Sequence, residues 1–139
     1  MIAIASKTEV AIYLISPNLQ LLHIENFEDE LAIARLKSNC QGNSIDEHLV
    51  NLKWRYDSSS HIKPQLIVCF WNKIIILKMV EANNDIIPFS ARFDRFLHYT
   101  NHYPMTSISL ITYNHLAILS NKNVVVVALP LITSSEDED

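Results

Sequence analysis

The hydrophobic and polar positions of this chain fall into short strand-like runs separated by polar corners. Leu49-Val50-Asn51-Leu52-Lys53-Trp54 alternates apolar and polar residues, the period of a half-buried strand. Asp57-Ser58-Ser59-Ser60 follows as a turn cluster. Gln65–Trp71 and Ile74–Val80 are then two apolar, β-branched runs joined at the tight corner Asn72-Lys73. The sequence therefore predicts an antiparallel meander over Leu49–Val80.

The same grammar recurs on either side. Met1–Ala5 and Glu9–Ser16 are apolar runs split by Ser6-Lys7-Thr8, and Leu19–Glu25 makes a third strand after the turn signal Pro17-Asn18. Ile108–Thr112, Leu116–Leu119 and Val124–Leu129 form a third set, with corners at Asn114-His115 and Asn121-Lys122-Asn123. The consecutive valines Val124–Val127 favour a strand strongly, and their lack of polar alternation predicts burial on both faces.

Between these sets the pattern is weaker. Asn26–Ser38 reads as a short helix or an irregular segment, with Asn26 able to cap it, Glu28, Asp29 and Glu30 complementing its dipole, and Lys37 at the far end. Ser38–Glu47 is a polar loop and Glu81–Asp85 a polar break. Phe89–Tyr103, rich in aromatic and basic residues, is the least regular stretch; its first half reads as a strand or a turn of helix, and Pro104 closes it.

Aligning the three sets exposes a repeat. Ile2–Ala5 then Glu9–Ile15 matches Gln65–Trp71 then Ile74–Val80, and again Leu116–Ser120 then Val124–Leu129. Alternating strands at Val50–Trp54 and Ser107–Ile111 precede the second and third pairs. Repeated four-stranded antiparallel units that bury their faces against one another are the mark of a propeller. Val50-x-Leu52-x-Trp54-x-x-Asp57-Ser58, followed by Gln65-Leu66-Ile67-Val68 and Ile74-Ile75-Ile76-Leu77, resembles a WD40-type blade. Neither the Gly-His nor the Trp-Asp signature dipeptide is present, and Leu77-Lys78 stands where Trp-Asp would fall. The resemblance implies a mainly β, propeller-like scaffold that docks other proteins without catalysis of its own. It spans about two and a half blades, fewer than the four to eight that close a propeller. Two other folds stay open: a single α+β sheet with one helix serving as a binding or regulatory module, and a β-sandwich or open barrel.

The expected organisation is one β-rich domain over residues 1–132, with repeat-like units near 1–25, 49–100 and 105–132, followed by an acidic tail at 133–139. At 49% apolar and 19% charged residues, the 139-residue chain has the composition of a globular domain. Eleven basic and fifteen acidic residues give a charge of −4. The terminal Glu136-Asp137-Glu138-Asp139 accounts for all of it, so the body is neutral and lacks the basic excess that nucleic-acid binding requires. Met1–Ser16 has no basic start and is interrupted by Lys7 and Glu9, which does not read as a signal peptide. No apolar run reaches bilayer length. Two cysteines, Cys40 and Cys69, form no disulfide framework, and an intracellular setting, cytoplasmic or nuclear, is expected. With Gly42 the single glycine, Asn18, Asn72, Asn114, Asn121 and Asn123 are the expected occupants of left-handed corners.

Candidate chemistry is sparse. His98 and His102 have the spacing of a helical metal pair, but Tyr103-Pro104 and the β-branched context argue for a loop, with no carboxylate or cysteine beside them. No serine sits in a nucleophile elbow and no glycine loop could cradle phosphate, so neither catalysis nor a cofactor is expected, and a small enzyme of unrecognised type stands third behind the scaffold and the binding module. Arg92, Arg95, Phe96, Tyr99 and Tyr103 form the candidate partner-binding set, because arginine and aromatic residues dominate protein–protein hot spots. Open strand edges would support self-association or capture of a protein partner. Ser134 and Ser135, with acidic residues just downstream, match the preference of acidophilic serine kinases.

Overall fold

The structure, a computed structural model, describes residues 1–6, 8–15, 18–40, 51–55, 63–82 and 90–130. Among these residues ten strands and one helix follow in order: β1 (Ile2–Ala5), β2 (Glu9–Leu14), β3 (Gln20–Asn26), α1 (Glu28–Cys40), β4 (Asn51–Arg55), β5 (Gln65–Phe70), β6 (Lys73–Ala82), β7 (Ser90–Thr100), β8 (Met105–Thr112), β9 (His115–Ser120) and β10 (Val124–Ala128). They form three antiparallel meanders, ordered β1-β2-β3, β4-β5-β6-β7 and β8-β9-β10. We refer to these as the first, central and third sheets. The protein is thus mainly β. The strands do not merge into the single α+β sheet that was one alternative, nor close into a barrel.

The three sheets are stacked, and the central one is sandwiched. Every residue of β5, Gln65-Leu66-Ile67-Val68-Cys69-Phe70, is buried, because alternate side chains enter different cores. Leu66, Val68, Phe70, Ile75 and Leu77 meet Val10 and Ile12 of the first sheet, together with Phe27 and Leu31 from the start of α1. Ile67, Cys69, Ile74 and Ile76 meet Met105, Ile108, Leu116 and Ile118 of the third sheet. Like-placed strands touch across each junction, β3 on β7 and β4 on β8.

Four expectations change against this framework. The strand open as a reading of the first half of Phe89–Tyr103 runs much further, over Ser90–Thr100: β7 has 11 residues and is held along its length by β6. The valine run is not buried on both faces. Val124 is 65% and Val126 55% exposed, because among the described residues the third sheet has a neighbour on its inner face only. Trp54, which the alternation of its strand predicts to be largely buried on the inward face, packs only partly buried against the core shared by the first and central sheets. Finally, the residue in the left-handed region among those described is Trp71 (φ 49°) and not one of the corner asparagines.

Trp71 and Asn72 form the β5–β6 corner, one residue earlier than predicted. A non-glycine residue there costs about 1–3 kcal/mol and persists only where its surroundings over-determine it. Here the Trp71 carbonyl accepts Met105 N–H at 2.7 Å and the Asn72 carbonyl accepts Asn101 N–H at 2.7 Å. The Trp71 side chain is 7% exposed. The β7–β8 turn therefore clamps the corner.

The helix forms as 13 residues, running into the stretch predicted to be loop. Asn26 Oδ1 accepts Glu28 N–H at 2.7 Å, satisfying one of the donors that a helix start leaves open. The Asp57–Ser60 turn and the 133–139 tail, including Ser134 and Ser135, lie outside the described residues, as does most of the Ser38–Glu47 loop. Among the described residues no helix is long and apolar enough to cross a membrane.

Candidate docking cleft

At the junction of the first and central sheets, the outer strands are locked together. Arg95 of β7 donates from Nε to Glu25 of β3, from Nη1 to Glu30 of α1, and from Nη2 to the Asn26 carbonyl at 2.7 Å. Its guanidinium lies over Phe27, 4.7 Å from the ring centre. Burial alone would lower its pKa, but the hydrogen bonds and charges of Glu30 and Glu25 carry it upward. His23 adds a second tie, with Nδ1 accepting Phe93 N–H at 3.3 Å and Nε2 on Glu25 at 2.8 Å.

The junction of the central and third sheets is latched by a residue that the sequence reading did not single out. Arg55, at the end of β4, is fully buried. It donates to Gln65 Oε1 at 2.9 Å, to the Tyr113 carbonyl at 2.8 Å and to the Pro130 carbonyl at 2.8 Å, with Asn114 Oδ1 at 3.4 Å. The guanidinium stacks 4.2 Å from the Tyr113 ring centre. Burial lowers its pKa, and the cation is held by neutral acceptors spread over three elements. Strand alternation held the clue: Trp54 faces the first core, so Arg55 must point toward the third sheet.

Outside this latch, at the outer rim of the same junction, the packing opens. A cleft of about 110 Å³ lies between β7 and the end of β10, lined by Leu97 and Tyr99 on one side and Leu116, Val127 and Leu129 on the other. An irregularity in β6–β7 pairing leaves Phe96 unmatched between Leu97 and Arg95. Such a bulge turns consecutive side chains to one face, and Phe96, Leu97 and Tyr99 all pack against the second core. The cleft is apolar and sized for a single side chain, since a cavity of about 150 Å³ accepts benzene.

The edge of β10 beside it is paired with no described strand. Leu129 N–H bonds to the Asn114 carbonyl, and the Asn123 carbonyl accepts Ser120 N–H, so odd-numbered residues of this strand turn their polar groups toward β9. By alternation Val124, Val126 and Ala128 turn theirs to the outer edge. No described strand lies beyond β10.

Of the predicted partner-binding residues, Phe96 and Tyr99 are brought together beside the cleft. Arg95 instead faces the first sheet, engaged in the clamp above. Arg92 is exposed and pairs with Asp94 at 3.2 Å on its own strand. Tyr103 sits in the turn after β7 with its ring against His102. His98 lies within β7 and His102 just after it, and no group of three or more metal-ligating side chains gathers among the described residues. Cys69 is buried, and burial pushes its thiol up to about 12. Compared with known proteins, the chain matches no family model, no curated protein and no solved structure.

Proposed function

We propose that this protein is a non-enzymatic interaction scaffold or adaptor that works inside the cell by docking protein partners as part of a larger assembly. Its stacked meanders serve as successive, divergent blades of a WD40-type propeller. One observation carries this reading: both ends of the stack present apolar sheet faces. Ile2, Ile4, Leu21 and Ile24 are 41–54% exposed on the first sheet, and Ile111, Leu119, Val124 and Val126 are 45–65% exposed on the third. Contiguous apolar surface of this kind marks interaction sites. The inner faces of the same sheets pack on a neighbouring sheet, which supports the same use for the outer ones.

Parallel affinity capture from cell extract tests this, using the parent chain, an Ile4→Lys/Ile24→Lys variant and a Leu119→Lys/Val124→Lys variant, all checked for folding by circular dichroism. A discrete set of proteins retained by the parent and lost by one variant, then re-bound in purified form, is expected. Identical capture by all three would sink the reading.

A further inference from the structure

We propose that the open edge of β10 binds an extended segment of a partner protein as an added antiparallel strand, with an apolar side chain of that segment seated in the cleft between β7 and β10. This rests on the scaffold reading and names how one partner is held.

The internal repeat identifies the kind of occupant. Pairing order and sequence match β8, β9 and β10 to β4, β5 and β6. In the central sheet the edge of β6 is covered by β7, antiparallel. Beyond β10 no described strand takes that place. At the preceding junction β3, the third strand of its own sheet, closes the outer rim over β7, with Glu25 bonded to Arg95 and His23 to Phe93. At the next junction the same rim is the apolar cleft. The position thus adjoins β10 backbone that no described strand pairs with, and an apolar seat on its inner side.

Both halves of strand addition are therefore present. Main-chain groups of Val124, Val126 and Ala128 supply register and affinity, and the cleft selects a side chain. Phe93 shows the chemistry required: it is 1% exposed in the core between the first and central sheets, on the strand that holds the corresponding place. The incoming segment carries an apolar or aromatic residue toward the cleft, and uncharged residues two positions to either side on that face.

The probe is a fluorescein-labelled peptide copying Ser90–Thr100 with Arg95→Ser, so that both positions flanking Phe93 on that face are uncharged, titrated with the full chain and followed by anisotropy. Val126→Pro removes an edge-facing donor at a position where an edge strand tolerates proline, so the fold survives while strand addition is blocked. Saturable binding to the parent, weakened at least tenfold by Val126→Pro and again by replacing the peptide's Phe93 equivalent with lysine, is expected. Equal binding to parent and variant, or none to the parent, overturns the proposal. Binding that emerges only after removal of residues 131–139 assigns the edge to the chain's own terminus. Parent self-association abolished by Val126→Pro assigns it to a second copy. Either result also overturns the proposal. If Val126→Pro leaves the captured proteins unchanged while the lysine variants lose them, strand addition fails and the scaffold reading stands.

Discussion

Arg55 offers the sharpest test of how the sheets are joined. In Arg55→Met the aliphatic stem is kept while three short hydrogen bonds, to Gln65, Tyr113 and Pro130, disappear. Stranding the buried Gln65 Oε1 costs about 1–3 kcal/mol, and the part-buried Tyr113 and Pro130 carbonyls fall at the low end of that range because water can reach them. Loss of the stack on Tyr113 adds roughly 0.5–2 kcal/mol. Against this, a desolvated cation is removed, which returns several kcal/mol. A net loss of about 2–4 kcal/mol follows, a large share of the 5–15 kcal/mol that holds a domain together. Arg55→Lys separates charge from shape. An ammonium cannot reach acceptors spread over three elements, nor stack as guanidinium does, so lysine should rescue little. Urea unfolding followed by circular dichroism gives both numbers. Hydrogen exchange adds location: β9 and β10 should lose protection before β1 and β2. An Arg55→Lys variant within about 0.5 kcal/mol of the parent would refute the geometric argument, as would uniform loss of protection.

Three further outcomes follow from the same structure. Arg95→Met should cost about 2–3 kcal/mol by stranding the part-buried carboxylates of Glu25 and Glu30, with helix α1 fraying first by amide exchange. Trp71→Gly relieves about 1–2 kcal/mol of backbone strain but forfeits about 3–5 kcal/mol of burial, so the variant should unfold at lower urea and not higher. The Cys69 thiol, pushed up to about 12 by burial, stays protonated in the folded chain where an unfolded one ionises. Its contribution to stability is complete below about pH 8.5 and is lost as pH rises toward 12. In a Cys40→Ser background, thiol reagents at pH 8 should label Cys69 only at the rate of unfolding.

What was legible in the sequence was whatever depends on local period. The β5 and β6 runs, the helix start at Asn26 and the repeat of the meanders all follow from spacing and β-branching. What depends on neighbours was not legible. Nothing in Val124–Val127 says that its sheet stands at the end of a stack, so half of the run is exposed where burial was expected. Arg92 and Arg95 look alike in sequence, yet one is solvated and the other is locked beneath the first sheet by Glu25, 70 residues away. Left-handed backbone fell on Trp71 because Asn101 and Met105 hold that corner from a distant turn, a constraint that residue preference cannot carry. Of the candidate site, the aromatic pair Phe96 and Tyr99 could be read from the chain, whereas the cleft they flank required the register of β7.

The burial of all six β5 residues has a mechanical consequence. Among the described residues each outer sheet packs on the central sheet and not on the other outer sheet, so the chain behaves as a short one-dimensional array in which stability passes between nearest neighbours. An end unit can detach while the middle persists, but the middle cannot melt without releasing both ends. Pulled from its termini, such a chain should give way in steps, with the end sheets peeling first and the final rupture belonging to β5 and β6.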